Sequence, residues 1–157
     1  MSLVVDSKLE ELSPEEIIDI AARETESPYS PEQVRASVLA EAHGAGAIIM
    51  RQGNTLFVVN PSPNNPKAAV FRALNADTGG NYIKNSIEFI KAIKMAGFEV
   101  LVTDFHDESI LTIFRYISRN PPFPGMGYAV QRLSDGGFRA TIKLGDNNSA
   151  GGLQWAQ

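Results

Sequence analysis

The apolar residues of this chain recur with the period of a helix in some segments and with the period of a strand in others. Residues 13–16 (SPEE) and 30–33 (SPEQ) are capping boxes with proline at the first helical position, so each predicts a helix start. Apolar residues at helical spacing follow both starts. The same spacing predicts a third helix at about 81–96 and a fourth that follows Asp107 as its N-cap and ends near Asn120.

Short apolar or alternating runs predict six strands. The first two form a hairpin whose turn takes a positive φ at Gly53 or Asn54, and residues 134–137 (SDGG) join the last two. The predicted strands are 47–50, 55–59, 68–74, 98–105, 127–133 and 138–144. Strands and helices in this order indicate a single α/β domain.

Composition narrows the class of protein. A chain of 157 residues with 43% hydrophobic residues is long enough to bury one core without cross-links. Cysteine is absent, which excludes disulfides, thiolate nucleophiles, Cys-ligated zinc and iron–sulfur clusters and favours an intracellular product. Neither a signal peptide nor a membrane span is indicated, because no basic segment precedes an apolar run and no stretch approaches eighteen apolar residues.

The net charge of -4 is unevenly distributed, since residues 1–32 carry nine acidic against two basic side chains. This asymmetry argues against an N-terminal DNA-binding arm and allows a basic partner surface. We divide the chain into an acidic arm (1–12), a folded domain (13–145) and a polar, glycine-rich tail (146–157). The tail holds Leu153 and the only tryptophan, Trp155, which are the candidate partner-binding residues.

The order of elements resembles the GNAT fold of N-acetyltransferases over roughly residues 13–144. The resemblance implies an α/β domain with a mixed sheet of about six to seven strands and helices on both faces. In that family, backbone amides of an Arg/Gln-x-x-Gly-x-Gly/Ala loop hold the pyrophosphate of acetyl-CoA at a helix N-terminus. The matching segment here has two glycines without that spacing, and Asp77 would repel a diphosphate unless it faces away. If acyl-CoA binds, the cofactor-binding residues are Thr78, Gly79, Gly80 and Asn81.

A later helix of the family carries an Asn-x-x-Ala-x-x-x-Tyr motif, whose tyrosine often protonates the leaving thiolate. Asp107, Ile110 and Phe114 fall at its three defined positions here. Phenylalanine cannot donate a proton, and Tyr116 lies about 200° around the helix from that position. These departures favour a protein without the family's catalysis.

A second resemblance is confined to three short segments of the amino-acid sequence. Residues 51–59 (RQGNTLFVV), 72–78 (RALNADT) and 117–122 (ISRNPP) look like small proteins of tailed bacteriophages, cyanophages among them. The expected function is therefore a non-catalytic structural or interaction protein without a cofactor, intracellular in the host and incorporated in the phage particle. Its expected partners are phage structural proteins or further copies of itself. The alternative is an acetyl-CoA-dependent N-acyltransferase.

Other candidate residues follow the strand at 98–105. Asp104 or His106 is a candidate general base, and Tyr116 is a further catalytic candidate. Asp104, His106 and Asp107 together are too few for a predicted metal site without a second histidine nearby. Nucleic-acid binding is not favoured in a chain that is acidic overall, although a basic and aromatic set could gather on one side. That set is Arg115, Arg119, Arg132, Arg139, Lys143, Tyr116 and Tyr128.

Overall fold

The computed structural model describes residues 11–25 and 27–145, and this part of the chain forms four helices and six strands. The helices are α1 (Pro14–Glu24), α2 (Pro31–Ala42), α3 (Gly79–Met95) and α4 (Ile110–Arg119). The strands are β1 (Ile48–Gln52), β2 (Thr55–Pro61), β3 (Ala68–Asn75), β4 (Val100–Phe105), β5 (Gly127–Arg132) and β6 (Phe138–Lys143). Every predicted element is present, with bounds shifted by a few residues.

Both predicted capping boxes form. At α1, the Ser13 hydroxyl accepts a hydrogen bond from the Glu16 amide at 3.1 Å, and the Glu16 carboxylate accepts one from the Ser13 amide at 2.8 Å. Ser30 and Gln33 repeat the arrangement at α2, at 3.1 and 2.9 Å. The two helices therefore begin with their first amides already partnered.

The predicted N-cap of α4 is wrong. The helix begins at Ile110, with Ser109 in the cap position and no side-chain cap hydrogen bond. Asp107 instead accepts from the Ser109 amide at 3.0 Å and from the Ser109 hydroxyl at 2.6 Å. An aspartate side chain commonly accepts a hydrogen bond from the backbone amide two residues later, which forms a local turn. Here this turn precedes the helix, which therefore begins later than predicted.

The six strands form one mixed sheet in the order β1-β2-β3-β4-β6-β5. Every neighbouring pair is antiparallel except β3 and β4, which are parallel because α3 carries the chain back between them. Gly53 supplies the positive φ of the β1–β2 hairpin, at 56°. The predicted mixed α/β sheet is confirmed, at the lower end of the expected strand number.

Helices cover both faces of the sheet, so the interior strand β2 is buried on each side from Leu56 to Val59. Leu56 and Val58 pack under α1 and α2 with Ile17 and Val38. The alternate residues of β2 join the larger core under α3 and α4. That core contains Phe57, Val59, Phe71, Phe89, Ile90, Ile93, Leu101, Ile113, Phe114 and Ile117. No helix in the described ranges combines the length and apolar character needed to cross a bilayer.

Removing one ring from the core beneath α3 should destabilise the protein strongly. Phe57 and Phe89 stack with centroids 4.0 Å apart, and each is 1% exposed. We expect Phe89→Ala to lower the free energy of unfolding by about 3–5 kcal/mol in urea melts, since the cavity cannot refill. Met95→Ala, on the same helix at a position that is 88% exposed, should stay within about 0.5 kcal/mol. Similar losses for both variants would contradict this packing.

Candidate active site

The sheet opens at its centre because β3 and β4 pair over a short length only. Residues 68–70 of β3 pair with residues 100–102 of β4. Beyond these three pairs, residues 71–75 and 103–105 do not pair with each other, although each strand stays paired on its other side. The C-terminal halves of the two strands therefore separate inside an otherwise continuous sheet.

The opening between the two strands forms a cleft of about 720 Å³. Residues 71–77 and 103–107 form its two sides, and α3 and α4 contribute apolar side chains to its wall. Ser27 and Tyr29, in the α1–α2 loop, also line the cleft. The two facing strand edges leave backbone N–H and C=O groups without a strand partner on the cleft side. Such edges hydrogen-bond an extended, amide-bearing ligand much as they would an added strand.

The N-terminus of α3 meets the cleft at Gly79. Its cap residue, Thr78, makes no side-chain cap hydrogen bond, and the first amide with a helical acceptor is that of Tyr82, 2.8 Å from the Thr78 carbonyl. The amides of Gly79, Gly80 and Asn81 therefore lack a helical acceptor, unlike the capped starts of α1 and α2. A Cβ added at either glycine would meet nothing within 4 Å. The four predicted cofactor-binding residues thus lie together at an open helix start.

The loop before α3 is tied to the β1–β2 hairpin through Asp77. One carboxylate oxygen of Asp77 accepts from the Asn54 amide at 2.8 Å and from the Asn85 side chain at 2.7 Å. Asn85 also donates to the Thr55 hydroxyl at 2.9 Å. The carboxylate is thereby directed toward the hairpin and the flank of α3. Asp77 nevertheless lines the cleft, so its charge stays near any anion that binds at the helix start.

Phe114 occupies the position at which the GNAT resemblance expects a tyrosine. It is 6% exposed, and its ring stacks on Phe105 and Tyr128 at centroid distances of 5.8 and 5.6 Å. Tyr116 is 44% exposed and does not line the cleft.

Tyr82, in the first turn of α3, lines the cleft, as does Tyr29 of the α1–α2 loop. Burial raises the pKa of Tyr82 above the usual range, and the negative charge of Asp107 raises it further, so the hydroxyl stays protonated at neutral pH. Sequence reasoning missed Tyr82 because an aromatic residue on a helix beside apolar neighbours indicates core packing.

His106 lies at the cleft mouth, where β4 ends. Its Nε2 is 3.1 Å from a carboxylate oxygen of Asp135. A hydrogen bond from the Gly137 amide, followed by that from His106, lowers the pKa of Asp135. The carboxylate is therefore ionised and can only accept, so Nε2 carries the hydrogen and Nδ1 keeps the lone pair of the neutral ring.

The surroundings of His106 are closely fitted. A Cβ at Gly137 would lie 2.9 Å from His106 Nε2, so the hairpin can approach the ring because residue 137 is glycine. The Tyr29 ring meets the imidazole edge to face, with centroids 6.0 Å apart. Asp135 was absent from the candidate residues because it lies 29 positions beyond His106 and only the fold brings them together.

Asp104 has a different partner. Both of its carboxylate oxygens accept from Arg139, at 2.8 and 2.9 Å, and this hydrogen-bonded ion pair raises the pKa of Arg139. The three candidate residues after β4 therefore have three different partners: Arg139 for Asp104, Asp135 for His106 and Ser109 for Asp107. Within residues 11–25 and 27–145, no group of three or more His, Asp or Glu side chains is arranged to hold a metal ion.

The basic residues considered for nucleic-acid binding are divided between two faces. Arg132 lies opposite Phe138 and Gln131 opposite Arg139 in the β5–β6 ladder. Because alternate residues of a strand point to opposite faces, Arg132 and Arg139 lie on different sides of the sheet. Leu153 and Trp155 lie outside the described residues, as does most of the arm at 1–12. Association with other chains, an intracellular location and the domain limits stay predictions.

No protein-family model and no curated protein matches the chain. Solved structures do match. A protein assigned as a phosphinothricin N-acetyltransferase has a TM-score of 0.51 and 14% identity, covering 87% of this chain and 98% of its own. A protein from Desulfovibrio desulfuricans that is assigned to the GNAT acetyltransferases has a TM-score of 0.52 and 12% identity. The match covers 86% of this chain and 96% of its own. A protein from Salmonella typhimurium that is described as an acetyltransferase was solved with its cofactor acetyl-CoA. It has a TM-score of 0.50 and 14% identity, and the match covers 85% of this chain and 87% of its own.

These comparisons confirm the GNAT-like fold and contradict the predicted function. The expectation of a non-catalytic phage component is wrong, because the structural neighbours are acetyltransferases and nothing in the comparisons supports a phage resemblance. The expectation of no cofactor also lacks support, since one neighbour is solved with acetyl-CoA. The expectation relied on departures from the family's glycine spacing and tyrosine, whereas any uncapped helix start presents backbone amides to an anion whatever the spacing of its glycines.

The support for the α3 start can be tested at Gly53. Its φ is 56°, and a Cβ there would lie 2.9 Å from both the Asp77 carboxylate and the Asn85 amide group. Gly46 has a φ of 78° with nothing within 4 Å of its added Cβ, so Gly46→Ala carries backbone strain alone. We expect Gly53→Ala to lower the free energy of unfolding by about 1–3 kcal/mol more than Gly46→Ala in denaturant melts. Equal losses of unfolding free energy in the two variants would show that the Asp77 and Asn85 side chains can move away from the added Cβ without destabilising the protein.

Proposed function

We propose that this chain is an acyl-CoA-dependent N-acyltransferase. The observation that carries the proposal is the end of β3–β4 pairing after residue 70, which opens a cleft that reaches the uncapped start of α3. The likeness of the fold to solved acetyltransferases supports the same conclusion. The cleft offers apolar walls and two free strand edges, which suit an extended ligand with amide groups and a charged end.

The residues that fit the cofactor are those of the α3 start. The amides of Gly79, Gly80 and Asn81 carry the positive end of the helix dipole, so they would hold a pyrophosphate group. The free edge at residues 71–75 would pair with amides of the pantetheine arm. When bound, acyl-CoA supplies an acyl group activated as a thioester.

His106 is the candidate proton acceptor for the amine substrate. An ammonium group must lose a proton before its nitrogen can attack a carbonyl carbon. Because Asp135 fixes the hydrogen on Nε2, the lone pair at Nδ1 can accept that proton, and Asp135 then stabilises the imidazolium.

The proton donor of the family motif has no counterpart at Phe114. Tyr82 lines the cleft and is the candidate partner of the departing sulfur. Because its pKa is raised, it is a weak acid, and its role would be to donate a hydrogen bond to the sulfur rather than to transfer a proton. Tyr116 is too exposed for this role.

Charge at the α3 start should control cofactor affinity. We expect the protein to bind acetyl-CoA with a micromolar dissociation constant in calorimetry, and Gly80→Asp to weaken binding about 10-fold or more by repelling the pyrophosphate. Gly80→Ala places a Cβ in the same open space without charge and should bind normally. An acid in the first turn also favours the helix, so the melting temperature of Gly80→Asp should not fall. Millimolar binding by the unaltered protein would refute the proposal.

Loss of the imidazole should slow turnover without loosening the cofactor. We expect His106→Gln to lower kcat for acyl transfer by about 100-fold or more, because the amide keeps a hydrogen-bond donor for Asp135 but cannot take up a proton. Its dissociation constant for acetyl-CoA should be unchanged. Tyr116→Phe should retain the full rate. Turnover that survives in His106→Gln and drops in Tyr116→Phe would reverse these assignments.

A further inference from the structure

A second cavity of about 470 Å³ adjoins the cleft beyond His106. The two cavities share Ser27 and His106 as lining residues, so the imidazole stands where they meet. The remainder of the second cavity is mainly polar and includes Glu108, Arg132 and Asp135. The second cavity is an open depression and is not enclosed, so a small molecule bound there would keep part of its surface in solvent.

Arg132 is the cation of this second cavity. Its guanidinium carbon lies 4.9 Å from the centroid of the buried Phe138 ring, a cation–π contact that limits its freedom. Within the described residues no carboxylate forms an ion pair with Arg132, whereas Arg139 is paired with Asp104. Asp135, a carboxylate on the same hairpin, instead accepts hydrogen bonds from His106 and the Gly137 amide. The guanidinium thus keeps its hydrogen-bond donors available.

We propose that the second cavity binds the acceptor amine and that Arg132 selects acceptors that carry a carboxylate, which makes amino acids the substrate class. This inference rests on the proposed acyl transfer. A guanidinium binds a carboxylate through two parallel hydrogen bonds, and one already held over a ring loses little freedom in doing so. With the carboxylate on Arg132, the amine of the same small molecule lies in the cavity that His106 borders.

The alternative acceptor is an amine without a carboxylate, held by Glu108. Glu108 and Arg132 are both exposed, and within the described residues neither makes a side-chain hydrogen bond or ion pair. The structure favours Arg132 because its guanidinium is held over the Phe138 ring. In the transfer, the amine nitrogen bonds to the acyl carbon as the carbon–sulfur bond breaks. The ammonium nitrogen loses one proton to His106 Nδ1 before it attacks and a second as the amide forms. The second proton balances the one that the departing sulfur takes up to give the thiol.

The test uses the full-length protein and compares pairs of acceptors that differ only in the carboxylate. Thiol release from acetyl-CoA is followed with phenylalanine against phenethylamine, methionine against 3-(methylthio)propylamine, and lysine against cadaverine. We expect kcat/KM to be at least about 10-fold higher for the carboxylate-bearing member of the preferred pair. Arg132→Gln should remove that preference by lowering kcat/KM for the amino acid about 10- to 100-fold, with the plain amine unaffected. Arg132→Lys should keep part of the preference.

The control is Arg119→Gln, which removes the same charge at the end of α4 and away from both cavities, and which should change neither rate. A preference for the plain amines, or an equal effect of Arg132→Gln on both members of a pair, would overturn the carboxylate subsite and leave acyl transfer standing. If no acceptor releases thiol and acetyl-CoA does not bind, the proposed function fails. In that case calorimetric titration of the same amino acids decides the subsite: binding abolished by Arg132→Gln retains it, and absence of binding rejects it.

Discussion

The short parallel pairing of β3 with β4 is the constraint on which the rest of the site depends. Two neighbouring strands can separate within a sheet only if each is held firmly from its other side. β3 has seven register pairs with β2, and β4 has six with β6, so the strands stay extended where they leave each other. The separation exposes backbone groups and apolar side chains together, and it places the start of α3 at the rim. A longer β3–β4 ladder would close the cleft and leave the helix start as an isolated feature.

The order of the elements could be predicted because each boundary is encoded locally. Serine, proline and a polar residue at the third helical position determine the starts of α1 and α2, and Gly53 determines the first hairpin. The start of α4 was misplaced where two local interactions compete. Asp107 could cap a helix or bond to Ser109, and the sequence does not state which of these is more stable. Helix starts that depend on one acidic residue are therefore harder to place than those with reciprocal caps.

The site was only partly predictable, because its contacts join residues that are far apart in the chain. His106 could be named as a candidate base from its place after a strand, but Asp135 becomes its partner only when the β5–β6 hairpin packs beside β4. The start of α3 was predicted near Asn81 and lies at Gly79, so the four candidate cofactor-binding residues do lie together. Anion binding by a helix start depends on backbone amides, which the spacing of side chains does not report. Phe114 could be identified from the sequence, but its packing between Phe105 and Tyr128 could not.

Two hairpins at opposite edges of the sheet support the two ends of the cleft. The β1–β2 hairpin fixes the α3 start through Asp77, and the β5–β6 hairpin fixes His106 through Asp135. The residues that these hairpins fix nevertheless follow neighbouring strands, since Asp77 follows β3 and His106 follows β4, and both line the same cleft. The charge of Asp107, just beyond β4, also raises the pKa of Tyr82 in the first turn of α3, so the two sides of the cleft interact. Effects of substitutions at sites that interact are commonly non-additive, so a change on one side of this cleft constrains which changes the other side can accept.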